Sequence, residues 1–113
     1  MTTKHTNLKN KTLVILSREC VIWPNETGVA RSMTGDRIIS YGKKGSPDII
    51  GFVKRTGKFI GIEIKIPPDD LRPEQIIFKD ISEKNGAMYF VIRCAEDADR
   101  ILNFLKSDKP TDR

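Results

Sequence analysis

The sequence predicts a mixed α/β fold from three patterns. Residues 48–53 and 58–66 are apolar segments joined by a short polar link that contains glycine, which is typical of a β-hairpin. Residues 73–84 have the features of a helix and precede an apolar strand, 87–93, so strand, helix and strand can form a right-handed parallel crossover. Residues 95–106 carry apolar side chains at helical spacing and predict a final helix.

The remaining elements follow from local signals. A first helix is expected over residues 8–18, with an apolar face formed by Leu8, Thr12, Ile15 and Leu16. Residues 20–23 and 38–41 are expected to be short strands, and residues 25–36 and 42–46 to be loops. The two later helices are expected to bury Ile77, Phe78, Ile81, Ala98, Ile101, Leu102 and Leu105. The predicted order of elements is α-β-β-β-β-α-β-α.

The size and charge of the chain limit the classes of function. Its 113 residues predict one domain, 1–113, with polar frayed ends at 1–7 and 107–113. The net charge of +5 favours acidic partners such as nucleic acid. The apolar run 13–16 is too short for a signal peptide or a membrane span, so we expect a soluble, cytoplasmic protein with no membrane partner.

The positions of the cysteines and the histidine in the sequence indicate no metal site. Cys20 and Cys94 adjoin apolar stretches and form no metal-ligand cluster, so both are expected to be buried, reduced thiols. His5 lies in the polar amino-terminal stretch, and a zinc site has no support there. The carboxylates and lysines are therefore the candidate catalytic groups.

Strand alternation gathers polar groups on one face of the second hairpin strand. Side chains of a strand point alternately to its two faces, so one face is expected to carry Ile60, Ile62, Ile64 and Ile66 and to join the core. Glu63 and Lys65 lie on the opposite face, toward the carboxyl end of the strand. These two side chains are therefore expected to point the same way.

The hairpin adds Asp48 to this face in either of two registers. If the turn is centred between Arg55 and Thr56, Asp48 faces Glu63, and if it is centred one residue later, Asp48 faces Lys65. Directly opposed residues have Cβ atoms about 4.5–5.5 Å apart. A loop centred on Thr56 itself needs a bulge to restore this arrangement. Both simple registers thus cluster two carboxylates and a lysine.

This cluster has the chemistry of a site that cuts phosphodiesters. Two neighbouring carboxylates repel each other unless a cation lies between them, and oxygen ligands on a rigid hairpin suit Mg²⁺ or Mn²⁺. Such an ion can bind a phosphate oxygen and lower the pKa of a bound water, while Lys65 orients that water or stabilises charge in the transition state. Lys43, Lys44 and Ser46 immediately precede Asp48 and can hold a DNA phosphate nearby.

Three segments resemble the VRR-NUC (virus-type replication-repair nuclease) domain of the PD-(D/E)XK nuclease superfamily. They are Gly45–Gly51, which contains Ser-Pro-Asp, then Gly57–Lys65, which contains Glu-Ile-Lys, and then Arg72–Gln75. The resemblance covers residues 13–93 and is strongest over 42–79. The glutamine that opens the helix after the Glu-Ile-Lys strand distinguishes this family from the wider superfamily.

The resemblance implies a fold, an activity and a set of roles. The fold is a restriction-endonuclease-like mixed sheet with an α-β-β-β-α-β core and flanking helices. The activity is metal-dependent DNA endonuclease activity, structure-selective or nicking, of phage or prophage replication-repair type. Asp48, Glu63 and the backbone carbonyl of Ile64 would hold Mg²⁺ or Mn²⁺, Lys65 would position the attacking water, and Gln75 would orient that water or the lysine.

The resemblance also implies partners and a location. The substrate would be DNA, including four-way junctions or flaps, in a bacterial or phage-infected cell. Small members of the family often form dimers or tetramers, so a homo-oligomer is expected. Asn25 and Arg31 are further candidate DNA contacts.

Two departures from the family keep other functions open. The stretch 5–16 contains no Asp or Glu where the family commonly has an acid facing the site, and Glu19 lies only at the helix end. Pro24 stands where the family usually has Arg. The alternatives are therefore a non-catalytic DNA- or junction-binding module on the same fold, and an unrelated small α/β interaction domain.

Overall fold

The computed structural model describes residues 3–26, 28–41 and 43–107. The described elements, in chain order, are α1 (Lys4–Leu16), β1 (Cys20–Pro24), β2 (Gly28–Arg31), β3 (Ile38–Tyr41), β4 (Ile49–Val53), β5 (Phe59–Ile64), α2 (Pro73–Lys84), β6 (Met88–Ile92) and α3 (Ala95–Ser107). The predicted α/β class is confirmed.

A four-stranded mixed sheet carries the fold, with strand order β1-β4-β5-β6. The pairs β1–β4 and β4–β5 are antiparallel, whereas β5 and β6 are parallel and joined through α2. Pro24 is tolerated in β1 because this strand lies at the edge of the sheet. The arrangement is the expected restriction-endonuclease-like sheet with flanking helices, and the predicted crossover is present.

The core lies between the sheet and helices α1 and α3. Its apolar side chains from β5 are Ile60, Ile62 and Ile64, as strand alternation predicted. Helix α3 contributes the four predicted residues, Ala98, Ile101, Leu102 and Leu105. Burying each large aliphatic side chain stabilises the fold by about 1.5–3 kcal/mol. No described helix is long and apolar enough to cross a bilayer.

Helix α1 begins at Lys4, not at residue 8, so the expectation of a frayed segment is wrong for residues 3–7. Thr3 caps the helix, because its Oγ1 accepts a hydrogen bond from the backbone N–H of Thr6 at 3.1 Å. The helix buries Leu8, Thr12 and Leu16. The earlier start places His5 in the first turn of a packed helix. The outermost ends, 1–2 and 108–113, lie outside the described residues.

The predicted loop 25–36 contains an additional strand, β2, which the sequence reading missed. It pairs with β3 in a separate two-stranded sheet. Beyond the paired residues, the backbone N–H of Ser32 donates to the carbonyl of Arg37 at 2.8 Å. A strand of this length shows too little alternation to be recognised, and its pairing with β3 is what defines it.

Helix α2 has its predicted bounds, but the prediction of which side it buries is wrong. Ile77 and Ile81 are 60% and 57% exposed, and Phe78 is half-buried. The buried residue is Gln75, which is 5% exposed. The helix packs mainly against β6 with its amino-terminal end over the sheet, so its apolar stripe is left uncovered by the described elements.

The two cysteines differ in their surroundings. Cys20 is buried as predicted, and burial raises the pKa of its thiol to about 11. Cys94 is exposed, so its predicted burial is wrong. It lies at the corner between β6 and α3, where the chain leaves the sheet before α3 begins.

Candidate active site

The β4–β5 hairpin adopts the first of the two predicted registers. Ile49 pairs with Ile62 and Phe52 with Phe59, and the turn closes with the backbone N–H of Val53 donating to the carbonyl of Lys58 at 2.9 Å. Continuing this register by one residue brings Asp48 opposite Glu63. The two carboxylates therefore meet at the open end of the hairpin.

Contact between Gly61 and Pro47 fixes the position of Asp48 beside β5. A Cβ added to Gly61 would lie 2.8 Å from Cγ of Pro47, so any side chain there would clash with the proline ring. Pro47 is fully buried in this position. The Ser-Pro-Asp segment thus packs directly on β5, which fixes the backbone from which Asp48 projects.

Asn25 holds the same segment from the other side. Its Nδ2 donates to Oγ of Ser46 at 2.7 Å and to the carbonyl of Pro47 at 2.9 Å. Its backbone N–H donates to the carbonyl of Asp48 at 2.8 Å. Two predicted DNA contacts, Asn25 and Ser46, are therefore bonded to each other, and their role in DNA binding stays a prediction.

The carboxylate of Asp48 is held by two contacts to one of its oxygens. Its Oδ2 accepts a hydrogen bond from the backbone N–H of Ile64 at 2.9 Å. The same oxygen lies 3.2 Å from Nε2 of His5, on α1. A main-chain donor and a helix side chain thus orient one carboxylate of the site.

Gln75 orients the second carboxylate. Its Oε1 accepts from the backbone N–H of Arg72 at 2.8 Å, and its Nε2 donates to Oε2 of Glu63 at 2.9 Å. The first hydrogen bond determines which end of the amide faces Glu63, because only the amino group can then point at the carboxylate. This glutamine therefore connects the start of α2 to β5 by hydrogen bonds.

The pKa of the Glu63 carboxyl is raised to about 8. Burial is the largest cause, followed by a hydrogen bond with the Asp48 carboxyl and by the negative charge of Asp48, whereas the charge of Lys65 lowers the pKa. Glu63 is only 2% exposed, so little water stabilises its charged form. Burial and the neighbouring Asp48 carboxyl therefore favour the protonated form of Glu63, and a cation bound between the two carboxyls would favour the ionised form.

The donor set fits a hard divalent ion. Asp48 and Glu63 offer carboxylate oxygens, and Ile64 borders the same cleft. Among the described residues, no three His, Cys, Asp or Glu side chains stand close enough to hold an ion by themselves. Backbone carbonyl oxygen and water must then complete the coordination, as Mg²⁺ commonly requires.

The cleft has a volume of about 380 Å³. It brings together all five residues that were predicted to act on metal or water, namely Asp48, Glu63, Ile64, Lys65 and Gln75. It adds residues that sequence reasoning did not place there, namely His5, Asp69, Asp70 and Arg72. A larger depression of about 760 Å³ borders α1 and the start of α3, but no acidic residue lines it.

A family model described as the VRR-NUC domain matches residues 17–96, more than half of the chain. The chain belongs to the VRR-NUC family. This places it in the PD-(D/E)XK superfamily, as the sequence resemblance indicated. No curated protein matches the chain.

Membership of the VRR-NUC family indicates a general class of function. The domain has a nuclease-type, DNA-processing function, with DNA as its substrate. Nuclease domains of the PD-(D/E)XK type generally use divalent metals. The match begins after α1, so His5 lies outside the segment that the family model covers.

His5 could have been found from a helical pattern. His5, Leu8, Thr12 and Leu16 follow one another at helical spacing, and the last three form the buried face of α1. Extending that face back by one turn would have placed His5 over the sheet. Glu19, the acid nearest to this helix, pairs instead with Arg55 at 3.3 Å, at the opposite end of the hairpin.

Arg93 holds the loop that brings Asp69 and Asp70 to the cleft. Its guanidinium donates to the carbonyl of Asp69 at 3.2 Å and to Oδ1 of Asp70 at 3.1 Å. No sequence pattern singled out these residues, because the contact joins the end of β6 to a loop that precedes α2. Three segments therefore border the carboxylates of Asp48 and Glu63: α1, this loop and the start of α2.

The basic loop before Asp48 lies against the first turn of α2. Gly45 has a positive φ of 83°, and a Cβ on it would lie 2.4 Å from the carbonyl oxygen of Glu74. Lys43 and Lys44 are exposed on this loop. Both line a separate groove with Glu74 and the apolar side of α2, and not the cleft of Asp48 and Glu63. Their contact with a DNA phosphate stays a prediction. The side chain of Arg31, the remaining predicted DNA contact, lies outside what the structure describes.

Proposed function

We propose that this VRR-NUC domain is a Mg²⁺- or Mn²⁺-dependent DNA endonuclease that nicks or cuts branched DNA, such as four-way junctions and flaps. The observation that supports this most is the pairing of Asp48 with a buried Glu63 in one cleft, beside Lys65 and Gln75. We further propose a role in phage or prophage replication and repair, in the cytoplasm of a bacterial or infected cell.

Asp48, Glu63 and the backbone carbonyl of Ile64 are the proposed ligands of the ion. When bound, the ion supplies positive charge to a phosphate oxygen and to the attacking water. The backbone N–H of Ile64 keeps Asp48 directed into the cleft, and Gln75 does the same for Glu63. Neither carboxylate then has to reorganise when DNA arrives, which is the main advantage of a preorganised site.

Lys65 is the proposed partner of the nucleophile. It lines the cleft next to Glu63, and its positive charge already lowers the pKa of that carboxyl. An ammonium group in this position can hold the attacking water and stabilise the charge that develops on the phosphate. Lys43 and Lys44, on the loop that precedes Asp48, would bind the DNA backbone outside the cleft.

Cleavage of defined substrates tests the proposal. The protein is incubated with supercoiled plasmid, flap and four-way junction DNA, in Mg²⁺, Mn²⁺ or EDTA. We expect metal-dependent cleavage that is lost in Glu63→Ala and Lys65→Ala. Lys58→Ala is the matched control, since Lys58 is exposed at the turn end of the hairpin. Cleavage that survives both active-site substitutions contradicts the assigned site.

One observation favours a second candidate, a non-catalytic module that binds DNA or junctions. Helix α1 contains no acidic residue, so it adds no carboxylate to the cleft. Gel-shift assays on the same substrates separate the two functions. Junction binding with no cleavage in either metal supports the binding module, and binding should weaken steeply as salt increases.

A dimer or tetramer is the proposed assembly. Two copies could address the two strands of a branched substrate, because one cleft cuts one phosphodiester at a time. Size-exclusion chromatography with light scattering, with and without junction DNA, measures the assembly directly. A mass equal to one chain under both conditions contradicts the proposed oligomer.

A further inference from the structure

A groove of about 300 Å³ runs beside α2, separate from the cleft of Asp48 and Glu63. Its apolar lining comes from Ile77, Phe78 and Ile81, which lie at helical spacing on one side of the helix. Ile77 and Ile81 are both more than half exposed, so no element in the described part of the chain covers them. An uncovered apolar surface of this kind marks a place where a ligand can bind.

Two lysines add positive charge to this α2 groove. Lys43 and Lys44 line it, and both are exposed. Their loop has a fixed backbone, because the N–H and the Oγ of Ser46 both donate to the carbonyl of Lys43, at 3.1 and 2.6 Å. The groove therefore presents two cationic side chains from a held loop next to an apolar surface.

The groove and the cleft adjoin each other at the first turn of α2. Glu74 lines the groove, whereas Arg72 and Gln75 line the cleft. Successive side chains of a helix point about 100° apart, so the two depressions lie on different sides of one turn. Nε of Arg72 lies 3.7 Å from Oε1 of Glu74, which offsets the negative charge of that acid. A DNA strand held at the cleft can therefore continue over this turn into the groove.

The combination of lysines and apolar side chains favours unpaired DNA over duplex. In a duplex the base faces are stacked on one another, so a duplex would use the lysines and leave Ile77 and Ile81 without a contact. An unpaired nucleotide has a free base face. That face can pack on apolar or aromatic side chains while the neighbouring phosphates contact lysines.

We propose that the α2 groove binds the unpaired nucleotides of a branched DNA, such as the single-stranded tail of a flap, beside the cut site. The proposal rests on the nuclease function proposed above, since it places the tail next to the same cleft. A four-way junction with every base paired offers no such nucleotide. The groove should therefore make the protein prefer flaps to fully paired junctions.

Binding in EDTA tests the groove without any cleavage. Fluorescence anisotropy is measured on a duplex with a single-stranded tail of either polarity. The same DNA is also made with abasic sites in the tail, which keep the phosphates and lack the bases. We expect the tail with bases to bind at least about fivefold more tightly than the abasic tail, as the stacking of one base on a side chain implies.

Matched variants separate the two parts of the groove. Ile77→Ser should remove the preference for bases, whereas Ile76→Ser, an exposed neighbour outside the groove, should keep it. Replacing Lys43 and Lys44 by alanine should weaken binding of both tails equally and reduce its dependence on salt. Circular dichroism checks that each variant is folded.

The outcomes also distinguish this inference from the proposed function. Equal affinity of the wild-type protein for both tails overturns the role of the groove, and so does an equal loss in Ile76→Ser and Ile77→Ser. A wild-type dimer that Ile77→Ser converts to a monomer overturns it too, because a second copy then occupies the groove. Base-dependent binding with no cleavage in Mg²⁺ or Mn²⁺ contradicts the nuclease function and leaves the groove standing, and cleavage without a preference for bases does the reverse.

Discussion

Gln75 connects the start of α2 to strand β5 through its side-chain amide. It accepts a hydrogen bond from the backbone of Arg72 and donates one to Glu63. The side chain is nearly fully buried, so water cannot replace either contact. These contacts hold the Glu63 carboxylate in place, while the role that the family resemblance implied for Gln75, orienting a water or the lysine, stays a prediction.

We predict that Gln75→Met lowers DNA cleavage roughly 10–100-fold, because it removes the donor that orients Glu63, a proposed metal ligand. The side-chain length is retained, so the fold should persist with a stability loss of about 1–3 kcal/mol from the lost hydrogen bonds. Single-turnover cleavage of a junction substrate measures the rate. Ile76→Met, an exposed neighbour on α2, is the control. Equal rates in both variants contradict the positioning role.

At the scale of elements, α2 combines a buried polar end with an exposed apolar stripe. Gln75 is anchored in the first turn, while Ile77 and Ile81 border a groove beside the basic loop of Lys43 and Lys44. The helix is therefore held largely by its amino-terminal turn and by β6. Its apolar stripe contributes little to the stability of an isolated chain.

This leads to a second prediction. Ile77→Ser and Ile81→Ser should each change the free energy of unfolding by less than about 0.5 kcal/mol. Ile62→Ala, at a fully buried position of β5, should cost about 2–5 kcal/mol. Urea denaturation at several protein concentrations measures all three. A large, concentration-dependent loss for the two helix variants would mean that another copy of the chain covers the stripe.

At the scale of the whole molecule, the raised pKa of Glu63 lowers the stability of the metal-free protein at neutral and alkaline pH. The pKa of Glu63 is near 8 in the folded chain, against 4.5 for an ordinary carboxyl. The folded state therefore holds a proton that the unfolded state has lost. Stability from this group is present below pH 4.5 and decreases as the pH rises toward 8.

We predict that Glu63→Gln stabilises the metal-free protein at pH 8, because an amide stays neutral where the carboxyl must ionise. Each pKa unit corresponds to about 1.4 kcal/mol, so even half of the shift amounts to about 2 kcal/mol. Thermal unfolding in EDTA between pH 5 and pH 9 measures the effect. The gain should shrink at the acidic end. Adding Mn²⁺ should stabilise only the wild-type chain; a variant that gains nothing at pH 8 contradicts the prediction.

Sequence patterns predicted those parts of the molecule that local periodicity controls. Alternation along β5 and the short turn before it were enough to bring Asp48 to Glu63, and Pro73 marked the start of α2. They did not place His5, because the position of a helix end above a sheet depends on tertiary packing. They misjudged the buried side of α2 for a related reason: periodicity identifies an apolar stripe but not the element that covers it.

The cleft joins parts of the chain that are synthesised at different times. His5 and Asp48 are 43 positions apart, and Glu63 and Gln75 are 12 apart. The amino-terminal helix leaves the ribosome first, yet its contact with Asp48 forms only when the hairpin has folded, and Glu63 is oriented only after Gln75 has emerged. A nascent chain therefore has no complete cleft until α2 has been synthesised.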